Sequence, residues 1–175
     1  MEKQKARSEK AHSKIRILLI EDDPGDARLI QEYLEDAKGT SFELTWANTL
    51  SKGSAHLGEE DAGGENHGDR FHAGLLDLGL PDSQGLEGIE RLHEKAPDTP
   101  IIVLTGLSDE VLGVNALKMG AQDYMAKGDI TPPLLSRSIR YAVERSRLLN
   151  QLEEVRERER RDKEVLSLDR LGGAN

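Results

Sequence analysis

Five side chains in this sequence could handle a phosphoryl group, and each closes or directly follows an apolar run. Glu21 and Asp22 follow the run IRILLI, and Asp77 follows Leu75 and Leu76. Thr105 follows IIVL, and Lys127 follows DYMA. A carboxylate is a nucleophile toward phosphorus. A threonine hydroxyl can hydrogen-bond one phosphoryl oxygen, and a lysine ammonium can neutralise another. Three carboxylates crowded together repel one another unless a cation sits among them. With no cysteine or histidine in the set, a hard, oxygen-seeking ion such as Mg²⁺ is the natural choice. Taken singly, each residue has a plainer reading. Acids at a strand end are often only solvated, Lys127 alone would be a surface lysine, and Thr105 or Ser108 would cap a helix. Their joint placement carries the case.

The elements that must position them can be read from the pattern. Ile15 to Ile20 is apolar on both faces and fits an inner parallel strand. Pro24-Gly25-Asp26 turns into a helix bearing Ala27, Leu29, Ile30, Tyr33 and Leu34, which closes near Gly39. Phe42, Leu44 and Trp46 alternate as a second strand, and residues 49–57 suit a short helix. GEEDAGGENHGDRFH has no periodicity and reads as a loop. A third strand ends on Asp77, and a helix from Gly85 to Lys95 stops before Pro97. A fourth strand runs from Ile101 to Leu104, and the helix Asp109 to Met119 stops at Gly120. Asp123 to Ala126 forms a fifth strand, and a helical pattern then runs from Pro132 to Gly172. Five alternations predict a doubly wound α/β domain with a parallel sheet and helices on both faces. Ligand sites in such sheets lie outside the carboxyl ends of the strands, where all five residues fall.

The chain of 175 residues suits one domain with extensions. Aromatic residues are only 3%, so the core must rest on Leu, Ile, Val and Ala. A net charge of −9 argues against direct binding of nucleic acid or anionic membranes. No apolar run reaches the ~20 residues of a membrane span. The absence of cysteine excludes disulfides and makes the cytoplasm the natural compartment. The five histidines show no ligand spacing and are assigned no role. The pattern divides the chain into a polar leader (1–13), a domain (14–147) and a helical extension (148–175).

Four motifs in order, IRILLIEDD, LLDLGLPDSQG, IIVLTG and DYMAKGD, resemble the response-regulator receiver domains of two-component signal transduction systems. The spacing of 22 residues from Thr105 to Lys127 strengthens the likeness, which covers residues 14–147. The resemblance implies a flavodoxin-like five-stranded sheet of order 2-1-3-4-5 with an extended C-terminal helix. It implies that Asp77 accepts the phosphoryl group, with Mg²⁺ held by Glu21, Asp22, Asp77 and the backbone carbonyl of Gly79. Asp22 would be the direct ligand of the acidic pair, and Asp23 is the alternative. Thr105 and Lys127 would stabilise the phosphoryl group. Tyr124 falls where the family often has a switch aromatic that turns inward as Thr105 moves, although a half-buried core tyrosine suits the position equally. The donor would be a histidine kinase or a phosphotransfer protein.

The sequence departs from the family's pattern in two places. Gly128 follows Lys127 where proline in a cis peptide is usual. A non-proline cis bond costs ~3 kcal/mol, so a trans peptide is expected. The segment 58–72 is longer than the usual connection. Neither change removes a chemical group. Gly79 and Leu107 offer no polar side chain near the expected phosphoryl group, so the modified state should decay slowly rather than in seconds.

The expected function is a phosphorylation-dependent switch that relays its signal through the C-terminal helices. Its catalysis would be limited to its own phosphorylation and dephosphorylation. A free-standing phosphate shuttle and a phosphorylation-independent pseudo-receiver that only makes protein contacts are the alternatives. A phosphohydrolase of the haloacid-dehalogenase type needs a second aspartate two residues after the nucleophile, and Gly79 stands there. Beyond the domain, Leu148, Leu152 and Val155 continue a coiled-coil spacing. RERERRDK is charged all round, and the seam resumes at Val165, Leu166 and Leu168. A solvated linker and a dimerising coil both fit. The ending LDRLGGAN reads as interrupted, with an output domain expected beyond it.

Overall fold

The apolar hexapeptide Ile15–Ile20 buries both its faces, and that choice organises the molecule. The computed structural model describes residues 14–59, 70–106 and 110–172. Its strands are β1 (Ile15–Ile20), β2 (Phe42–Ala47), β3 (Ala73–Asp77), β4 (Ile101–Thr105) and β5 (Asp123–Ala126). They pair in parallel in the order β2-β1-β3-β4-β5. The helices are α1 (Pro24–Glu35), α2 (Leu50–Glu59), α3 (Glu87–Lys95), α4 (Glu110–Lys118) and α5 (Pro132–Gly172). This is the doubly wound parallel sheet that the residue pattern predicts, in the flavodoxin-like strand order that the family resemblance implies.

Side chains alternate across each inner strand, so neighbouring residues enter different cores. Ile17, Leu19, Leu75, Ile102 and Leu104 pack with Ala27, Ile30 and Leu34 of α1 and with Leu135, Ile139 and Ala142 of α5. Leu18, Ile20, Leu76, Ile101 and Val103 pack on the other side, with Leu50, Leu57, Ile89, Leu92 and Ala116. Two cores built mainly of aliphatic residues, with Phe71 the one buried aromatic among the described residues, explain why the chain folds with so few aromatics. By internal contacts the chain forms two units, Met1–Val143 and Glu144–Asn175.

Several boundaries differ from the sequence reading for identifiable reasons. α3 starts at Glu87 rather than Gly85, because Gly85 takes φ 55° in the turn before it. A short 3₁₀ turn, Lys127–Asp129, follows β5 directly. No cis peptide occurs among the described residues, so Gly128 sits in the trans chain its identity calls for. α2 is capped from outside: Asp82, in the β3–α3 connection, accepts the backbone N–H groups of Leu50 and Ser51, each at 2.9 Å. The leader 1–13, most of the long 58–72 segment, and Leu107, Ser108 and Asp109 lie outside the described residues.

Candidate functional site

Each strand of the inner sheet delivers a polar residue to the carboxyl-end rim. Glu21 continues the β1 ladder by one residue, its N–H donating to Ala47 at 3.0 Å, and this buries its side chain completely. The Trp46 indole N–H donates to the Glu21 carbonyl at 2.7 Å. Asp77 is the last residue of β3 and Thr105 the last of β4, and both are buried. The register pairs Asp77 with Leu104, one residue before Thr105, and pairs Thr105 with Ala126, one before Lys127. Adjacent strands thus bring Asp77, Thr105 and Lys127 to neighbouring positions.

The lysine lies among carboxylates. Lys127 Nζ is 2.6 Å from Glu21 Oε2, 2.7 Å from Asp26 Oδ2 and 3.3 Å from Asp77 Oδ1. Burial works against its charge, but the carboxylates of Asp26, Glu21 and Asp77 outweigh burial and hold its pKa well above the ordinary lysine range. Burial pushes the Glu21 carboxyl upward. Lys127 and the Asp23 backbone N–H oppose the shift, and the Asp77 charge adds to it.

Glu21, Asp22 and Asp77 each present an oxygen within 4.8 Å of the others. Asp22 is exposed at the mouth of this group. Glu21 Oε2 is buried, and its cationic neighbour is the Lys127 ammonium at 2.6 Å. An oxygen-only donor set with such a buried acceptor suits a hard cation such as Mg²⁺.

The remaining sequence candidates fall as follows. Asp23 is the N-cap of α1, its Oδ1 accepting the Asp26 N–H at 2.9 Å, and it stands outside the converging group. Gly79 lies against the Asp77 carboxylate, since a Cβ built there would meet Asp77 Oδ2 at 3.3 Å. Tyr124 is half-buried and packs against the α2–α4 core. A Cβ on Gly113 of α4 would overlap its ring, so that glycine leaves the space the ring fills. Leu107 lies outside the described residues.

Asp26 is the residue that sequence reasoning missed. Its signal was indirect: with Asp23 as cap and Pro24 opening the helix, Asp26 is the third helical residue and stands over the rim.

Residues 17–139 match the family described as the response regulator receiver domain. The chain is 34% identical over 125 residues to the photosynthetic apparatus regulatory protein RegA of Rhodobacter capsulatus, covering 69% of this chain and 61% of that protein. It is 36% identical over 140 residues to the transcriptional regulatory protein DltR of Streptococcus agalactiae, covering 79% of this chain and 57% of that one. It therefore spans about three fifths of the length of these curated relatives. Among solved structures, a response regulator receiver domain protein (CheY-like) from Methanospirillum hungatei superposes with a TM-score of 0.60 at 27% identity. That alignment covers 75% of this chain and 95% of the other.

Proposed function

The chain belongs to the response regulator receiver domain family, and on that footing we propose that it is a phosphorylation-dependent switch with Asp77 as acceptor. An Asp77 carboxylate oxygen bonds to the phosphorus of a phosphohistidine on a kinase or phosphotransfer protein. The phosphorus–nitrogen bond breaks, and the imidazole leaves with the electron pair. Thr105 donates its hydroxyl to one phosphoryl oxygen, and Lys127 gives its ammonium to another. Glu21, Asp22, Asp77 and the Gly79 carbonyl are the residues that would hold Mg²⁺, which when bound supplies positive charge opposite the phosphoryl oxygens. Tyr124 reports the change toward α4 and α5 from its half-buried seat on Gly113.

One observation carries this reading. Lys127, the residue after β5, reaches both Glu21 and Asp77, which the first and third strands deliver to the same rim. Isolated surface acids and lysines would not converge in this way. To test it, the chain is incubated with acetyl phosphate and Mg²⁺ and its intact mass is measured. Wild type should gain the mass of one phosphoryl group and Asp77→Asn should gain none. No gain in wild type would leave only a protein-contact role.

The relatives continue well beyond the matched region, which supports reading this chain as the input part of a larger regulator in the cytoplasm, with residues 14–147 as the receiver. Among the described residues no helix is long and apolar enough to cross a membrane. The extension past residue 147 exposes Leu148, Leu152 and Val155 at coiled-coil spacing. Glu159 and Asp162 continue that seam, flanked by Arg156, Arg158 and Lys163. Like charges at those two seam positions repel in a pair of identical helices, so the apolar positions 148, 152 and 155 are what favours pairing with a second copy.

A further inference from the structure

Three carboxylates share the Lys127 ammonium, and one of them has no part in the function proposed above. Asp26 Oδ2 lies 2.7 Å from Lys127 Nζ, closer than Asp77 Oδ1 at 3.3 Å. The two residues are 101 positions apart in sequence. Asp26 is held firmly in place. Pro24 fixes the first turn of α1, the Asp26 N–H is bound by Asp23 Oδ1 at 2.9 Å, and the Ala27 N–H by the Asp23 carbonyl at 3.0 Å. Its side chain is 44% exposed, against 0% for Glu21 and 6% for Asp77. It also stands outside the group of oxygens that converge on a cation position. Its charge is directed at the lysine.

We propose that Asp26 is a positioning residue that holds Lys127 at rest and competes with the phosphoryl oxygens for it. The inference rests on the receiver reading. Before phosphorylation the ammonium balances Glu21, Asp26 and Asp77. Once Asp77 carries a phosphoryl group, the strongest partner for the ammonium is a phosphoryl oxygen, and the Asp26 bond is the one given up. A charge-assisted hydrogen bond present only at rest favours the resting state. It therefore slows the capture of phosphate, and breaking it frees the head of α1 from the turn after β5. Because the pair is partly exposed, its effect is modest.

The test uses the whole chain with acetyl phosphate at saturating Mg²⁺. In the step followed, an Asp77 oxygen bonds to phosphorus as the bond from phosphorus to the acetate oxygen breaks, and acetate leaves with the electron pair. Asp26→Asn keeps the shape and removes the charge. It should speed phosphorylation by about two- to fivefold, and Asp26→Glu should return the rate toward wild type. A purely structural role at the helix start would instead lower the melting temperature of Asp26→Asn without raising the rate. Wild type that is phosphorylated no more slowly than Asp26→Asn overturns this inference alone. Wild type that takes up no phosphate overturns the receiver reading and this inference with it.

Discussion

At the scale of single residues, the ammonium of Lys127 and a metal ion would compete for the same oxygens, those of Glu21 and Asp77. Replacing Lys127 with methionine keeps the bulk of the stem and removes the charge. We expect Lys127→Met to bind Mg²⁺ several-fold more tightly, because the resident cation is gone, and to be phosphorylated at least about tenfold more slowly. Trp46 gives a clean optical reading of the first effect, being the single tryptophan and hydrogen-bonded to the Glu21 carbonyl. Weaker Mg²⁺ binding with unchanged phosphorylation would refute the assignment of Lys127. Most of this constellation was legible in the sequence, because apolar runs that stop abruptly mark strand ends, and strand ends of a parallel sheet share a rim. Asp26 was not legible. Its partner is 101 residues away, and only the exact start of α1 decides which way its side chain faces.

At the scale of elements, the cap on α2 comes from a different connection of the fold. Asp82 accepts two backbone N–H groups at the start of that helix, so Asp82→Ala should cost about 1 kcal/mol. Burial alone would raise the Asp82 pKa, but its hydrogen bonds from Ser51 and Leu50 outweigh it and leave the carboxyl below its ordinary value of 3.8. A depressed carboxyl contributes stability that is present above the unfolded value and is lost as pH falls through the folded one. The gap between wild type and Asp82→Ala in urea unfolding should therefore be full at neutral pH and should narrow below pH 3.8. A gap that widens in acid would refute the cap. The elements themselves were legible because the inner strands are apolar on both faces and the helices carry a separate period. What patterning could not show was the fate of positions at an element's end. Trp46 shares a face with Phe42 and Leu44, yet it lies at the rim beyond the core and stays 46% exposed. Asp82 reads as a turn residue until α2 is placed beside it.

At the scale of the whole molecule, the receiver unit and the extension ask different questions. The extension exposes Leu148, Leu152 and Val155, and pairing with a second copy would cover them. Light scattering across a concentration series should show a dimer that Leu152→Glu converts to monomer with the receiver unit still folded. A wild-type chain that stays monomeric throughout would make this segment a solvated linker. The central claim is that the rim makes Asp77, and no other carboxylate, the acceptor. It is tested most directly by phosphorylating the chain with acetyl phosphate and Mg²⁺, reducing the acyl phosphate with borohydride and sequencing the peptides. The account predicts homoserine at position 77, none at Asp22 or Asp26, and no 2-amino-5-hydroxypentanoic acid at Glu21. Unmodified aspartate at 77, or modification at another acid, would contradict it.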